Sequence, residues 1–402
     1  FLFMKNLFLP TILLLSLSLS AQVINFEKTY GGPETEVSWS SKQTADSGYV
    51  LAGTAASFGD LYPDMYIIKT DRYGDTLWTK LYGGHTWHPS AAHDIIETNN
   101  GGYMVVGITY SHGDTTGDAW ALRLNPQGDS MWSRIMGGVK TDDFSAVQQT
   151  IDGGFIMSGI SRSFGNPPGD IYVVKLDAQG NTQWEKTHGG NIFENSHSIV
   201  QTPDGGYISA GSTYSYGEGN SDVWLVKMDE FGDTMWTKTY GDSLYEIAHD
   251  VSITSDGGLL IACWTKSYGD VEGDILIIKT DNAGNQLWMQ TLGGAGTADK
   301  CRTATELSNG EIRVAGWTYT YGEPDGDIWL VALAANGDSL WSSIYGGQLF
   351  DRALKVYETY DGGLMITGYT YSMGGGGADC YFLKTDPAGC ITQTTISTNQ
   401  PT

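Results

Sequence analysis

The chain has 402 residues, of which 46 are acidic and 22 are basic, so its net charge at pH 7 is −24. This balance disfavours nucleic acid and anionic membranes as partners, because both are bound through a basic surface. A solvated acidic surface is its simplest interpretation. It suits a soluble protein outside the cell, and it would attract cations or cationic partners.

The N-terminal segment predicts export. Met4 and Lys5 are followed by the apolar run Leu7–Ser20 and then by Ala21, a small residue at a cleavage point. This is the pattern of a secretory signal peptide. We assign residues 1–21 to that peptide and predict a secreted or cell-surface protein. No later apolar run reaches the roughly 18 residues that a spanning helix needs, so no membrane span is predicted.

From residue 26 onward, one unit recurs seven times at a spacing of 52–54 residues. Three markers return in one order: an aromatic-rich strand ending in Gly-Gly, a turn that is mostly Asp-Gly-Gly, and a strand beginning with Asp. The third marker begins at Asp64, Asp118, Asp170, Asp222, Asp274, Asp327 and Asp379. A period of this length is typical of propellers and solenoids.

Each unit contains four short runs rich in β-branched and aromatic residues, separated by Gly, Asp and Asn turns. In the fourth unit these runs are 198–202, 207–213, 222–229 and 234–240. Short connections make neighbouring strands antiparallel, and four such strands repeated radially form a propeller blade. A parallel β-helix would need shorter coils and fewer hairpins. The sequence predicts an all-β, seven-bladed β-propeller over residues 22–395, with 396–402 as a tail or a truncated linker.

The seventh unit is divided between the two ends of the chain. Gln393 stands where the other units have Trp, whereas Phe26 and the following Tyr30-Gly-Gly match the end of a unit. We therefore expect residues 23–30 to pair with the strand at 379–385 as the outer strand of blade seven. Such pairing closes the ring and removes an exposed sheet edge.

The four cysteines do not recur with the repeat and show no Cys-x-x-Cys spacing, so they do not predict a zinc site. Cys263 and Cys301 fall on strands that are neighbours in the predicted fold, which would allow a disulfide in an exported protein. Cys380 and Cys390 flank one hairpin but are not expected to lie opposite each other.

The run from Leu176 and Asp177 through Gly180 to Trp184 returns in four other units. Here the sequence resembles the quinoprotein-like propeller repeat over nearly all of residues 26–393. The resemblance implies that each Trp docks one blade onto the next, and we expect these rings to be buried and equivalent. It implies no quinone cofactor, because the cysteine and metal-ligand features of those enzymes are missing. As a whole the chain is similar to secreted bacterial repeat propellers exported by the type IX system.

Loops with the pattern Gly-Asp-x-x-Gly-Asp, such as the one holding Asp270 and Asp274, have two interpretations. Their carboxylates could bind calcium through oxygen ligands. Alternatively, each Asp caps a tight turn, which is expected of a residue repeated in all seven units. We predict no cofactor, with calcium as the alternative.

Alignment of the innermost strands places two sets of residues at the mouth of the central channel. The first set varies between units, as a site added to a repeated frame would. The second set recurs, which favours a role in anchoring backbone, although a ring of carboxylates would also focus negative potential. The candidate binding residues are Trp39, His93, His197, His249 and Arg302, with His85, Trp87 and His88 from the longer loop of blade two. The acidic ring is Glu36, Asp142, Glu194, Glu246, Asp299 and Asp351.

These patterns predict a monomeric binding or interaction module for an extracellular protein or glycan, with no catalytic residues assigned. The alternative is a polysaccharide-active hydrolase or lyase that uses the histidines and acids of the mouth. Imidazoles also bind transition metals, and we expect at most two of the three channel histidines to converge. Fold alone does not decide between these functions.

Overall fold

The computed structural model describes residues 23–59, 62–84, 88–112 and 116–391, which form seven antiparallel sheets of four strands each around a central channel. In chain order the strands are β1 (Phe26–Tyr30), β2 (Glu36–Gln43), β3 (Tyr49–Ala55), β4 (Asp64–Thr70), β5 (Thr76–Tyr82), β6 (Ser90–Glu97), β7 (Tyr103–Thr109), β8 (Asp118–Leu124), β9 (Ser130–Met136), β10 (Asp142–Gln149), β11 (Phe155–Ser161), β12 (Asp170–Leu176), β13 (Thr182–His188), β14 (Glu194–Gln201), β15 (Tyr207–Thr213), β16 (Asp222–Met228), β17 (Thr234–Tyr240), β18 (Glu246–Ile253), β19 (Leu259–Thr265), β20 (Asp274–Thr280), β21 (Gln286–Leu292), β22 (Asp299–Glu306), β23 (Ile312–Thr318), β24 (Asp327–Leu333), β25 (Ser339–Tyr345), β26 (Asp351–Glu358), β27 (Leu364–Thr370) and β28 (Asp379–Thr385). The predicted seven-bladed β-propeller is confirmed.

Each of blades one to six takes four consecutive strands, which we call A to D from the channel outward. Loops from one blade to the next and from strand B to strand C share one face of the ring, which we call the loop face. The predicted signal peptide (1–21) and tail (396–402) lie outside the described residues. No helix in the described part of the chain is long and apolar enough to cross a membrane.

Blade seven is closed by the first strand of the chain. β1 pairs antiparallel with β28, with Phe26 opposite Lys384 and Tyr30 opposite Cys380. The sheet order is β1, β28, β27 and β26, so β1 is the outer strand. The predicted ring closure is therefore confirmed.

The hydrophobic core lies between blades rather than within one blade. Val50 and Met65 of blade one, for example, pack against Tyr103, Val105 and Trp120 of blade two. B and C strands such as β7 and β8 are buried along their whole length, because both of their faces meet a neighbouring blade. D strands such as β9 alternate between exposed and half-buried residues at the rim. Each blade is thus stabilised chiefly by its neighbours, as in other repeat proteins.

The repeated tryptophans dock each blade onto the next, but they are half-buried, so the prediction of buried rings was wrong. The Trp184 ring covers the turn at Gly232 of the next blade, where an added Cβ would lie 2.7 Å from the ring. The Trp184 Nε1–H donates to the Glu230 carbonyl at 3.2 Å. Because strand D lies at the rim, the ring keeps part of its surface in solvent. Phe26 occupies the same place over Gly74, which matches its predicted role.

All four cysteines are free thiols, so the disulfide that the sequence would allow between Cys263 and Cys301 is not formed. The two residues do lie on adjacent blades, and the Cys301 thiol donates to the Cys263 carbonyl at 3.2 Å. Burial raises the pKa of the Cys263 thiol well above its ordinary value. Cys263, Cys301 and Cys380 are buried and serve as small core residues, whereas Cys390 is exposed.

Candidate functional site

Every A strand carries one β-bulge at the same place, and the bulged residue has no partner on strand B. The seven bulged residues are Trp39, His93, Ser145, His197, His249, Arg302 and Leu354. All seven line the central channel. They are the same positions that the alignment of the repeats singled out. Bulges re-aim side chains, so the repeat delivers one variable residue per blade into the channel.

A glycine on strand B makes room for the bulge in most blades. Gly53 lies opposite Ser38, and an added Cβ there would lie 1.7 Å from the Val37 carbonyl oxygen. Glycine inside a strand often marks such a close backbone approach. This signal was present in the sequence and could have placed the bulges before the structure was known.

The bulged residues surround a cavity of about 480 Å³, within the usual range for a small-molecule site. The candidate residues His85 and Trp87 lie outside the described residues. His88 precedes β6 and is half-buried, and its carbonyl accepts a hydrogen bond from Ser111 at 2.6 Å. It does not line this cavity.

Two of the three channel histidines converge, as expected. The ring centroids of His197 and His249 are 5.3 Å apart. The Arg302 Nη1–H donates to His249 Nδ1 at 3.2 Å. The Asn195 amide lies 3.1 Å from His197 Nε2 and is its donor, because the Asn195 oxygen already accepts from the Ser212 N–H.

Both of these histidines are neutral. Burial, followed by the charge of Arg302, lowers the pKa of His197 to about 3 and the pKa of His249 well below its ordinary value. One nitrogen of each ring already accepts a hydrogen bond, so His197 Nδ1–H and His249 Nε2–H remain as donors. The pair can therefore donate two hydrogen bonds to a ligand, but its lone pairs are not free for a metal.

His93 lies apart from that pair. Its Nδ1 is 3.1 Å from Asp143 Oδ1 and 3.2 Å from the Phe144 carbonyl oxygen. Burial lowers the pKa of His93, but the Asp143 carboxylate and the Phe144 carbonyl outweigh it and raise the pKa above its ordinary value. The edge of Trp39 packs on His93, with ring centroids 6.1 Å apart. This side of the channel thus carries an imidazole and a carboxylate beside an aromatic ring.

Deeper in the channel, two carboxylates are held by the protein itself. Asp94 accepts hydrogen bonds from Ser40 at 2.7 Å and from the Val147 N–H at 2.9 Å. Asp250 accepts from Thr303 at 2.9 Å and lies 3.5 Å from the Lys355 amine. These contacts link strands of different blades across the channel.

The acidic ring does not line the open mouth. Glu36 is fully buried and accepts hydrogen bonds from the backbone N–H groups of Gly32, Ala56 and Ser57 at 2.6–3.1 Å. It thereby fixes the loop that enters blade one and the loop between its strands B and C. The same anchoring role is held by Asp142, Glu194, Glu246, Asp299 and Asp351, which are also fully buried. These carboxylates are structural, and we remove them from the candidate binding residues.

The Asp that begins each C strand lies against this ring. Burial, followed by the charge of Glu246, raises the pKa of Asp222 to about 6. Gly241 fits between the two carboxylates, since an added Cβ would lie 1.9 Å from Asp222 Oδ1 and 2.7 Å from Glu246 Oε2. The first glycine of the Gly-Gly marker is therefore required for space.

The Gly-Asp loops use their carboxylates as turn caps. The Asp274 carboxylate accepts from the Asp270 N–H at 2.8 Å, and Asp270 accepts from the Gly296 N–H at 2.7 Å. Within residues 23–59, 62–84, 88–112 and 116–391, no three His, Cys, Asp or Glu side chains gather as a metal site would require. Calcium stays a prediction, and residues 113–115 of one such loop lie outside the described ranges.

A second group of residues near the mouth was missed. Lys300 and Arg352 lie on A strands, two residues before the bulge, and Trp264, Trp317 and Tyr369 lie near the ends of B strands. Arg352 stacks on the Trp317 ring, with its guanidinium carbon 3.5 Å from the ring centroid. The signal in the sequence was a break in the repeat, because blades one to four have no aromatic residue at these B-strand positions.

No family model matches the chain, and no curated protein sequence matches it either. Among solved structures, Sqt1 from Chaetomium thermophilum is similar with a TM-score of 0.51 and 10% identity, over 90% of this chain and 100% of that one. The Pan2 WD40 domain of Neurospora crassa gives 0.51 and 8% identity, over 92% of each chain. BBS1N in complex with ARL6DN gives 0.52 and 8% identity, over 92% and 99%. At these identities the likeness shows the fold alone: the chain is a seven-bladed β-propeller.

Proposed function

We propose that this chain is a secreted or cell-surface propeller that binds an extracellular glycan or protein at the loop-face mouth of its channel. One observation carries the proposal: the bulged residues differ from blade to blade, while the residues that hold the blades together repeat. A repeated frame that presents unlike side chains at one place is suited to recognition rather than to stability alone. The N-terminal signal pattern and the similarity to secreted bacterial propellers support the location.

The chemistry of the channel also suits binding. Trp39 offers a flat apolar ring, the pair of neutral histidines offers two N–H donors, and Arg302 offers a charge. These groups are already held by packing and hydrogen bonds, so little ordering is needed when a ligand arrives. A cavity of about 480 Å³ is large enough for a sugar ring or a large side chain. BBS1N, which shares the fold, is seen in complex with ARL6DN, so this fold can present a protein-binding surface.

The alternative, a polysaccharide-active hydrolase or lyase, gains no specific support from the site. Glycoside hydrolysis uses two carboxyl groups that flank the scissile bond, one of which has a raised pKa. The channel carboxylates of Asp94 and Asp250 are instead held by hydroxyl, backbone and ammonium donors. Product formation from a polysaccharide would nevertheless revive this alternative.

The repeat itself supplies well-tolerated variants for the test. Ser145 and Leu354 occupy the bulge in two blades, so His249→Ser and Trp39→Leu place residues that this backbone already accommodates. We expect the purified protein to bind specific glycans or a protein ligand on arrays, and both variants to weaken that binding while the melting temperature stays within a few degrees. Met235→Ala on the outer strand β17, where Met235 is exposed, is the control. Unchanged binding in both channel variants would refute the proposed site.

A further inference from the structure

Blades five to seven carry an alternating row of cations and aromatic rings at the loop face. We call it the cation–aromatic ladder; it consists of Lys266, Trp264, Lys300, Trp317, Arg352 and Tyr369. The Lys300 amine lies 4.9 Å from the Trp264 centroid and 6.0 Å from the Trp317 centroid, so it bridges two blades. Arg352 continues the row by stacking on Trp317 and donating to the Tyr369 hydroxyl at 2.9 Å. The row spans three of the seven blades.

The charges of the ladder have no partner of opposite sign. Lys266, Lys300 and Arg352, and Arg302 beside them, form no ion pair with any carboxylate among the residues that the structure describes. By contrast, the buried lysines of the described C strands each pair with an Asp of their own blade, as Lys175 does with Asp152 at 2.8 Å. In a chain of net charge −24, four unpaired cations at one place are unexpected.

These like charges oppose one another. Burial, followed by the charges of Arg352 and Lys266, lowers the pKa of the Lys300 amine. The Nε atoms of Arg302 and Arg352 are buried and have no hydrogen-bond partner among the described residues. An arrangement that is unfavourable in the free protein becomes favourable when an anion neutralises it.

The fold does not require the ladder. At the A-strand position of Lys300 and Arg352, blades one to four have Val37, Ala91, Asp143 and Asn195. At the B-strand position of Trp264, Trp317 and Tyr369, they have Thr54, Ile108, Ile160 and Ser212. All of these blades pair in the same register, so the ladder is an addition to the repeat.

We propose that the ladder binds the carboxylate or sulfate groups of an acidic polysaccharide; this rests on the proposed function and names its ligand class. Aromatic contacts hold the cations in place, which reduces the ordering that binding must supply. Lys300 and Arg352 occupy equivalent A-strand positions in two successive blades, so a polymer that carries charges along its length can meet both. Tyr319 and Tyr371, 37% and 43% exposed, flank Phe350 at the outer edge of the ladder and offer flat faces to sugar rings. A homopolymeric acidic peptide such as poly-L-glutamate is less suited, because it has no ring to cover these faces.

The test compares four probes with matched chemistry: dextran sulfate, polygalacturonate, neutral dextran and poly-L-glutamate. Affinity is measured by titration calorimetry at two salt concentrations for the wild type and for the double variant Lys300→Gln with Arg352→Gln. The control double variant, Lys80→Gln with Lys186→Gln, removes the same net charge from exposed ion pairs on outer strands. Lys266→Gln is a milder second variant, and melting temperatures report whether each protein is folded.

We expect dextran sulfate or polygalacturonate to bind, neutral dextran not to bind, and the ladder variant to lose about tenfold or more in affinity, as loss of charged hydrogen bonds predicts. The control variant should lose at most about twofold through long-range charge. Comparison of dextran sulfate with polygalacturonate shows whether the ladder prefers sulfate or carboxylate groups.

Three results would overturn the ladder as the polysaccharide site: no binding of either acidic polymer, equal losses in the ladder and control variants, or preferential binding of poly-L-glutamate. The proposed function fails separately. If binding of the acidic polymers needs Lys300 and Arg352 but is unaffected by Trp39→Leu and His249→Ser, the result supports the ladder and refutes the channel site. If binding of a neutral glycan needs Trp39 and not the ladder, the result supports the channel site and refutes the ladder.

Discussion

Gly241 and Gly257 separate the two reasons for which glycine recurs in this repeat. An alanine Cβ at Gly241 would lie 1.9 Å from Asp222 Oδ1, whereas ordinary contact begins at 3.4 Å, so one carboxylate must move by about 1.5 Å. At Gly257 nothing lies within 4 Å of an added Cβ, but φ is +80°, which L-residues rarely adopt. Space is therefore limiting at the first position, and conformation at the second.

The cost of Gly241→Ala follows from what must move. Overpacking of this kind costs about 1–3 kcal/mol. Displacing Glu246 would also weaken its hydrogen bonds with the Asp242 and Ser267 N–H groups, each 3.0 Å long, and such charged bonds contribute about 1.5–3 kcal/mol each. We expect a loss of about 3–4 kcal/mol for Gly241→Ala. Gly257→Ala should lose about 1 kcal/mol, because the strain is partly offset by the lower entropy of the unfolded chain.

Urea unfolding monitored by tryptophan fluorescence measures both losses. A double-mutant cycle with Asp222→Ala tests the cause, because removing that carboxylate opens the space that the new methyl group needs. The coupling should favour the double variant by about 1–2 kcal/mol. If Gly241→Ala loses no more than Gly257→Ala, or if the cycle shows no coupling, the glycine is not required by the carboxylate pair.

Three further predictions concern the packing of the ring. The pKa of Asp222 is raised to about 6, above its unfolded value, so its protonation stabilises the fold as pH falls from 7.5 to 5. Over this range the free energy of unfolding of the wild type should rise by about 1 kcal/mol relative to that of Asp222→Asn, and an equal change in both proteins would contradict the prediction. Trp184→Ala should lower the free energy of unfolding by about 2–3 kcal/mol, which is less than for a fully buried Trp. The exposed Met235→Ala should change it by less than about 0.5 kcal/mol, and similar losses in the two variants would contradict the role of Trp184 in docking the blades. Phe26→Ala should lower the free energy of unfolding by about 3–5 kcal/mol. Deletion of residues 23–32 should cause self-association detectable by light scattering, because the edge of β28 becomes free, and a monodisperse deletion variant would argue against ring closure by β1.

The architecture could be predicted because the repeat reports one environment seven times. A single aromatic-rich run is ambiguous, but seven copies in register fix the number of blades. Phe26 and Gln393 then identify which end of the chain closes the ring. The channel positions could also be placed, since Trp39 and His249 stand at equal distances from a marker whose turn geometry is constant.

Side-chain direction was harder to predict. Glu36 and Trp39 are close in sequence, yet one is buried against backbone N–H groups and the other enters the channel, because a bulge intervenes. The ladder was missed for another reason. Lys300 contacts Trp264 of the preceding blade, and contacts across blades depend on the ring geometry rather than on spacing within a unit. The half-burial of Trp184 likewise depends on how far the rim extends over the neighbouring turn.

The closure of blade seven has a consequence for the order of folding. β1 must wait, unpaired, until β28 has been synthesised, because the strand with which it pairs in the described structure lies at least 350 residues later in the chain. Until then Phe26 and Tyr30 lack their contacts with the Phe382 ring, and Tyr49 of blade one lacks its contact with the same ring. A chain of this design would therefore close its ring only after the whole propeller has been synthesised. The final and slowest step of folding would be the pairing of the two chain ends, since contacts between distant residues carry the largest entropy cost of loop closure.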